Sequence, residues 1–199
     1  MNLPKMSTTK PNFLYAKLKV SLACPNHLNQ QFNPTKPNPV WTSDISYIPV
    51  NNGFVYLCVI LDLYSRKVIA WKVRTRITTS LVLDRLQTAS DKCKPAQLLL
   101  FHTDRGTQYT SSEIRQFLDH HSLTYSYSKK GYPWDNAVTE SFFKYMKKDE
   151  LDRRVFKTTQ EVTLSSFEYI EGFYNPKRPH SANNMLTPNQ KEQIYFESL

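Results

Sequence analysis

The stretch WTSDISYIPV, residues 41–50, is rich in β-branched and aromatic side chains and predicts the first strand of a sheet. Strand geometry sends Thr42, Asp44 and Ser46 to one face and Ile45 to the other. Aspartate is uncommon within strands. An aspartate in the middle of this strand therefore marks its polar face as a candidate functional surface.

Two more predicted strands follow at short spacing. Residues 54–63 and 67–74 are also rich in β-forming side chains. The links between the three strands are residues 51–53 (Asn-Asn-Gly), a hairpin signal, and residues 64–66 (Tyr-Ser-Arg). Strands joined by such short links pair antiparallel, so the chain opens its sheet with an antiparallel meander.

The remainder of the chain alternates helices with short strands. The resulting order, βββ-α-β-α-β-α-α, predicts an α/β fold with a mixed sheet: three antiparallel strands, then parallel strands with crossover helices. The predicted helices cover residues 79–92 (N-cap Ser80), 111–120 (N-cap Ser111 or Ser112), 134 or 135–151 and 159–174, and the predicted strands cover residues 97–102 and 123–128.

Composition excludes several classes of protein. The chain is 40% hydrophobic and 22% charged, as globular proteins are, and its net charge of +9 favours a polyanionic partner such as nucleic acid. No apolar run approaches the ~20 residues of a membrane span, and we expect no signal peptide. The three cysteines, Cys24, Cys58 and Cys93, form no C-x-x-C pair. We therefore expect no disulfide framework and no cysteine zinc site, which favours a reducing compartment.

The first 40 residues differ from the rest. They contain five lysines, six of the twelve prolines and no acidic residue. Proline lacks a backbone donor, so long helices and central strands are not expected here. We interpret the segment as a basic arm that is partly ordered at best, with a plain linker or the remnant of a lost domain as an equally open alternative.

Three carboxylates carry the clearest chemical signal. Asp44 lies within the first strand, Asp104 follows the buried strand 97–102, and Glu140 lies in the first turns of a helix, with 35 residues between it and Asp104. The end of a buried strand is a frequent ligand position in α/β sheets. Each acid alone is more simply a surface or capping residue. Together they predict a site for Mg²⁺ or Mn²⁺, which prefer oxygen ligands.

Basic and aromatic side chains near these acids are candidates for DNA contacts. At 100° per residue, Lys144 and Lys147 lie on the same helix face as Glu140. A solvated Glu-Lys pair is the simpler interpretation of that spacing. Five further candidates have packing or solvation as the alternative. They are Lys129, Lys130 and Trp134, in the loop before this helix, and Gln108 and Tyr109 after Asp104.

Asp62 is a fourth acid within a strand, and we interpret it differently. It ends the second predicted strand, and Arg66 and Lys67 follow it closely as potential partners. We expect it to be structural and not part of the metal site.

Five stretches together resemble one family. The chain is similar to the catalytic core of insertion-sequence transposases of the insertion-sequence-three family (second-frame type), whose core is itself similar to retroviral integrases. The stretches are WTSDISY (41–47), LDLYSRKVIAW (61–71), HTDRGTQYTS (102–111), DNAVTESFF (135–143) and YNPKRPHS (174–181), with Thr187-Pro188 behind the last.

The resemblance implies a fold, a chemistry and a set of partners. It implies a ribonuclease-H-like fold in which Asp44, Asp104 and Glu140 are the catalytic triad and bind two Mg²⁺ (or Mn²⁺) ions. It also implies that Lys144 and Lys147 lie against the DNA ends of the element. One DNA strand is cut, and the freed 3′-hydroxyl then attacks a second phosphodiester.

The implied organisation has three parts: a basic, Pro-rich arm (1–38), an integrase catalytic core (39–152) and a C-terminal helical extension (153–199). The implied partners are element-end and target DNA, further copies of this chain on DNA, and a helix-turn-helix protein or fusion from an upstream frame. The implied location is the bacterial cytoplasm, at the nucleoid. Two alternatives stay open: a ribonuclease-H-like nuclease that cuts without joining, and an inactive or truncated remnant that only binds DNA.

Overall fold

The computed structural model describes residues 24–95 and 99–199. It contains the antiparallel meander that the sequence predicts. The strands are β1 (Val40–Val50), β2 (Gly53–Asp62) and β3 (Val68–Arg74). Val50 pairs with Gly53 across the first turn, and Gly53 has a φ of +125°, which other residues rarely adopt. The Asn-Asn-Gly signal therefore marks a tight hairpin.

Two parallel strands complete the sheet. They are β4 (Leu100–Thr103) and β5 (Thr124–Tyr127), reached through helices α1 (Thr79–Cys93) and α2 (Ser112–His120). The strand order is β3-β2-β1-β4-β5, with β1·β4 and β4·β5 parallel. This confirms the predicted mixed sheet, although the predicted start of β4 at Gln97 lies outside the described residues.

The C-terminal half is helical, and both long predicted helices change geometry near their ends. The elements are a 3₁₀ turn (Pro133–Asn136), α3 (Ala137–Asp149), a 3₁₀ turn (Leu151–Arg153), α4 (Thr159–Tyr169), a π turn (Ile170–Tyr174), α5 (Asn175–Lys177), a 3₁₀ turn (Ser181–Asn183) and α6 (Pro188–Glu197). Among the described residues, no helix combines the length and the apolar character that crossing a membrane requires.

The N-cap of α1 was predicted wrongly, whereas that of α2 was correct. Thr78, not Ser80, caps α1, because its hydroxyl accepts a hydrogen bond from the Leu81 N–H. Ser111 caps α2 in the same way, accepting from the Ile114 N–H.

Strand β2 is buried on both faces, and its alternation divides the core into two layers. Cys58 and Ile60 belong to the layer that includes α1 and α2. Leu57, Val59 and Leu61 belong to the layer that includes α3 and α4. Each such aliphatic side chain contributes about 1.5–3 kcal/mol when fully buried. The two layers fix which helices face which side of the sheet.

The last part of the predicted arm is packed against the sheet. Leu28 is buried, the Tyr127 N–H donates to the carbonyl of Pro25, and Arg66 donates to the carbonyl of Phe32. These contacts bind residues 24–33 across the edge strand β5 and the β2–β3 link. Residues 1–23 of the arm lie outside the described residues.

The predicted C-terminal extension shares the core of the predicted catalytic domain. Val162, Tyr169 and Ile170 lie in the same buried layer as Phe142 of α3. The boundary at residue 152, between the predicted catalytic core and the predicted extension, therefore stays a proposal. In it, residues 153–199 support the core.

Candidate active site

The pairing of β1 with β4 brings two of the predicted acids level with each other. Thr42 lies opposite His102 in this parallel register. Two residues further along, Asp44 within β1 is therefore level with Asp104, which directly follows the end of β4. Thr42 contacts α3, so the even-numbered face of β1 is the one that this helix covers. The predicted polar face of β1 is therefore the face on which a helical acid can join them.

Helix α3 is anchored to that face at its first turn. The Thr139 hydroxyl donates to the Thr42 hydroxyl at 2.8 Å, and the side-chain amide of Asn136 donates to the Ser43 carbonyl at 3.5 Å. Glu140 follows Thr139 directly, and its side chain is exposed. Asp44, Asp104 and Glu140 all line one cavity of about 620 Å³, the carboxylate cavity.

Burial and the two neighbouring acids make Asp44 harder to ionise. Burial, and then the charges of Asp104 and Glu140, raise the pKa of Asp44 to about 7, although the Ile45 N–H and Lys147 oppose the shift. Burial also raises the pKa of Glu140. Within the described ranges, no salt bridge joins these three carboxylates to a basic side chain. Their negative charge is therefore only weakly compensated by the protein.

The donor set suits a hard divalent cation, but the three acids are not yet gathered around a single point. Across residues 24–95 and 99–199, no group of three or more His, Cys, Asp or Glu side chains is close enough to hold a metal ion. Like charges repel, which favours separation of the carboxylates. Glu140 is exposed and lines the same cavity as the two aspartates. Oxygen ligands from three elements around one cavity fit Mg²⁺ or Mn²⁺.

The predicted basic loop forms one side of the carboxylate cavity. Lys129, Lys130 and Tyr132 line it, with the Lys129 Nζ 5.9 Å from the centre of the Tyr132 ring. Gly131 has a φ of +79°, which suits glycine at this turn. Trp134 is 70% exposed, so its indole is available to a partner and does not pack in the core.

The two predicted helix lysines lie beside Glu140 as the helical spacing requires. Lys144 is exposed, and Lys147 places its Nζ 5.0 Å from the centre of the Tyr47 ring. Lys147 also lowers the pKa of Asp44 through its charge, which places it on the cavity side of α3. Both lysines can therefore reach a phosphate backbone that runs along this helix.

The structure places Tyr109 in the core and not on a DNA-binding surface. It is 1% exposed, and its hydroxyl lies 2.9 Å from the Ser43 hydroxyl. It supports β1 from behind Asp44, so we withdraw it from the DNA contacts. Gln108 is half-buried and its side chain covers Gly106, where an added Cβ would lie 2.3 Å from the Gln108 Nε2.

Sequence reasoning missed two residues at the start of α3. Asp135 is buried and accepts hydrogen bonds from the Asn26 amide (2.8 Å), the Gln30 amide (3.0 Å) and the Lys129 N–H (2.8 Å). Burial opposes ionisation, yet these donors lower the pKa of Asp135. Asn136 lines the carboxylate cavity. Its spacing of four residues before Glu140 was a usable signal, because such residues share a helix face.

Two further side chains hold the loops around the cavity. The Arg105 guanidinium donates to the Ser128 carbonyl at 2.8 Å and to the Cys24 carbonyl at 3.3 Å. The His102 ring lies 2.8 Å from the Ser126 hydroxyl and 3.1 Å from the Ser128 hydroxyl. Burial lowers the pKa of His102 to about 4, so this ring is a neutral structural group.

Comparison with known proteins gives matches over most of the chain. Residues 34–133 and 121–188 each match a family described as Integrase core domain. The transposase for insertion sequence element IS904 of Lactococcus lactis subsp. lactis (strain IL1403) is 41% identical over 179 residues, which are 90% of this chain and 71% of that protein. Transposase InsF for IS3A of Escherichia coli (strain K12) is 40% identical over 167 residues, 84% of this chain and 58% of that protein.

One relative has a different name. A protein called ATP-dependent protease from Lactococcus lactis subsp. lactis is 60% identical over 100 residues, which are 50% of this chain and 32% of that protein. About two thirds of that protein lies outside the match. The present sequence contains no G-x-x-x-x-G-K-[ST] phosphate-binding loop. The name of that relative therefore says nothing about the activity of this chain.

Solved structures share the fold at low sequence identity. The simian T-cell lymphotropic virus intasome, in complex with the PP2A regulatory subunit B56 gamma, contains a chain with a TM-score of 0.64 at 18% identity, covering 80% of this chain and 56% of that one. The HTLV-2 integrase catalytic core domain in complex with magnesium (dimeric form) gives 0.58 at 17% identity, covering 79% and 98%.

These likenesses confirm the predicted ribonuclease-H-like fold. The family description matches half of the chain, and the IS904 transposase is 41% identical over most of both proteins. The chain belongs to the integrase-core family, among the transposases of insertion sequences.

Proposed function

We propose that Asp44, Asp104 and Glu140 are the residues with which this transposase core cleaves DNA strands and joins them during transposition. One observation carries the proposal: carboxylates from two strands and a helix line a single cavity, and no salt bridge in the described part of the chain neutralises them. The net charge of +9 suits a DNA substrate.

We propose that these carboxylates hold two Mg²⁺ or Mn²⁺ ions. When bound, such ions activate the attacking oxygen and neutralise the charge that develops on the phosphate. The similar HTLV-2 integrase core was solved with magnesium, which supports the choice of metal. The high pKa of Asp44 also supports it, because burial and the neighbouring acids disfavour ionisation and a bound cation would favour the ionised form.

The neighbouring residues position the substrate. Lys129 and Lys130 on one side of the carboxylate cavity, and Lys144 and Lys147 along α3, are placed to hold successive phosphates. The exposed Trp134 ring can stack on an unpaired base. We propose Gln108 as a weaker contact, since its side chain is half-buried against Gly106, which follows Asp104 by two residues.

The partners of the complete transposase are also a proposal. We infer that the chain acts on element-end and target DNA as a homo-oligomer. The intasome with a similar core supports assembly on DNA. We further propose that a helix-turn-helix protein or fusion from an upstream reading frame recognises the element ends, as the resemblance to this group of transposases implies.

A strand-transfer assay tests the catalytic proposal. The full chain is incubated with Mn²⁺ and pre-cut duplexes that carry the inverted repeats flanking its gene, and joined products are resolved on denaturing gels. We expect joined strands with the wild type and with Asp119→Asn, a matched control because Asp119 is exposed on α2, across the sheet from α3. We expect none with Asp104→Asn.

Three outcomes would contradict the proposal. Strands cut at further positions, without any joined product, would indicate a nuclease. DNA binding without any product would indicate a binding protein alone. Equal activity of the Asp104→Asn and wild-type chains would remove the carboxylates from the chemistry.

A further inference from the structure

A second cavity lies against α3, on a different face from Glu140. It has a volume of about 450 Å³, and we call it the arginine cavity because Arg66 and Arg178 line it. Its volume falls within the ~300–1,000 Å³ of small-ligand sites. None of the acids discussed above lines it.

The two cavities share the same helix. Glu140 lines the carboxylate cavity, whereas the next residue, Ser141, and Tyr145 line the arginine cavity. At 100° per residue, Ser141 and Tyr145 lie about 100° and about 140° around the helix from Glu140. The two cavities therefore lie on two faces of α3.

The positive charge of the arginine cavity is not neutralised by direct ion pairs. Arg66 donates to the Phe32 carbonyl and the Asn33 side-chain oxygen, which are neutral acceptors. Arg178 has its guanidinium carbon 4.3 Å from the centre of the Tyr145 ring. Among the described residues, neither arginine forms a salt bridge. An anionic group would supply the missing counter-charge.

A histidine adds an unused hydrogen-bonding atom. The His180 Nε2 is buried and has no hydrogen-bond partner among the described residues, and the ring stands edge-on to Tyr174, 4.9 Å away. Burial, with Arg178 and Arg66 nearby, lowers the pKa of His180 to about 4. A neutral imidazole can donate or accept, according to its tautomer. This atom could therefore pair with the polar edge of a ligand.

We propose that the arginine cavity binds one unpaired nucleotide of a DNA strand, with its base against Tyr145 and its phosphate at Arg178. Tyr145 is 41% exposed, and within the described part of the chain the Arg178 guanidinium forms no salt bridge and the His180 Nε2 has no hydrogen-bond partner. These three groups match a base, a phosphate and a base edge. The inference rests on the proposed function, because it takes DNA as the substrate. It adds a second contact point that holds a strand end beside the carboxylates.

The test compares three duplexes of one sequence: one with a single unpaired thymidine at its end, one with an abasic unit there, and one blunt. Binding by the full chain is measured by fluorescence anisotropy in EDTA, so that no strand is cut. The unpaired thymidine should bind at least about fivefold more tightly than the abasic unit. Tyr145→Ala should abolish this preference, whereas Tyr145→Phe should keep it, as should Phe167→Ala, which removes an exposed aromatic ring on α4.

A second measurement does not depend on variants. The thymine base of the unpaired nucleotide is replaced by 5-iodouracil, and the complex is crosslinked by irradiation. The crosslinked peptide of the wild-type chain is then identified by mass spectrometry. The expected crosslink is to Tyr145. A crosslink to Tyr132 or Trp134 would place the nucleotide in the basic loop and overturn the inference.

The outcomes separate this inference from the proposed function. Equal affinity for the three duplexes would overturn the nucleotide site and leave the carboxylate chemistry intact. Loss of the preference in Trp134→Ala but not in Tyr145→Ala would also overturn it. A chain that binds none of the duplexes would contradict DNA as the substrate, and both proposals would fail.

Discussion

Asp62 and Asp44 lie on neighbouring strands of one sheet, and burial raises the pKa of both. Asp62 is 0% exposed and accepts hydrogen bonds from the Asn38 N–H, the Ser65 N–H and the Ser65 hydroxyl. Among residues 24–95 and 99–199, Asp44 accepts only from the adjacent Ile45 N–H, and it faces two other acids. One carboxylate is satisfied by the fold, whereas the other is left for a ligand.

The comparison shows that burial of an acid does not mark it as functional. The structural interpretation of Asp62 agrees with its hydrogen bonds, but the expected partners were wrong. Arg66 donates to the carbonyls of Phe32 and Leu63, and Lys67 pairs with Glu192. Backbone and hydroxyl donors satisfy Asp62 instead, because they are already fixed in the turn that follows it. Unbalanced charge is the feature that separates the two sites.

The largest expected effect on strand transfer comes from removing the charge of Asp44 in the carboxylate cavity. Asp44→Asn should reduce strand transfer at least about 10²–10³-fold, the loss seen when one group that stabilises a transition state is removed. Its circular dichroism spectrum should match that of the wild type, because Asp44 supports no distant part of the fold. Strand transfer at the wild-type rate would contradict the functional side of the comparison.

Removing the hydrogen-bonded carboxylate of Asp62 should lower stability and leave strand transfer unchanged. Asp62→Ala leaves donors at Ser65 and Asn38 without an acceptor, at a cost of about 3 kcal/mol in the free energy of unfolding. Urea denaturation measures this cost, with Asp119→Ala as the exposed control. The folded fraction should retain its strand-transfer rate. An unchanged urea midpoint would show that Asp62 is not structural.

Asp44 should make the free energy of unfolding decrease as pH rises. Its pKa is near 3.8 in the unfolded chain and about 7 in the folded one, so folding takes up a proton between these values. The free energy of unfolding therefore decreases as pH rises through that window and levels off above it. In EDTA, Asp44→Asn should gain stability over the wild type as pH rises from about 4 to about 8. Parallel stability curves for the two proteins would contradict this prediction.

The smallest expected effect is on DNA binding and concerns the lysines of α3 beside the carboxylate cavity. Lys144→Ala should weaken DNA binding, and should reduce the slope of log affinity against log salt by about 1, since one phosphate contact is lost. Lys157→Ala is the matched control, because Lys157 is exposed in the link before α4. Equal slopes for the two variants would remove Lys144 from the interface.

Local patterns were enough to predict the meander and the position of the acids. Strand alternation placed Asp44 on one face of β1 with Thr42, and the structure shows that α3 covers this face. Helical spacing placed Lys147 beside Glu140. These features depend on residues near one another in the chain, whose geometry is periodic.

Contacts between distant parts of the chain were not predictable in this way. Tyr109 resembles a surface residue in a polar stretch, yet its hydroxyl meets Ser43, 66 residues away. Asp135 meets Asn26 across 109 residues, and this contact docks a segment that composition alone suggested was loose. No periodic signal encodes such pairs, because packing of the whole sheet brings them together.

Anomalous diffraction from crystals soaked in Mn²⁺ tests the central claim most directly. Strong peaks should appear between Asp44, Asp104 and Glu140, with oxygen ligands at roughly 2.0–2.2 Å, near the Mg²⁺–oxygen distance, and should vanish in Asp104→Asn crystals. Mn²⁺ bound elsewhere, with the three carboxylates left apart, would contradict the account.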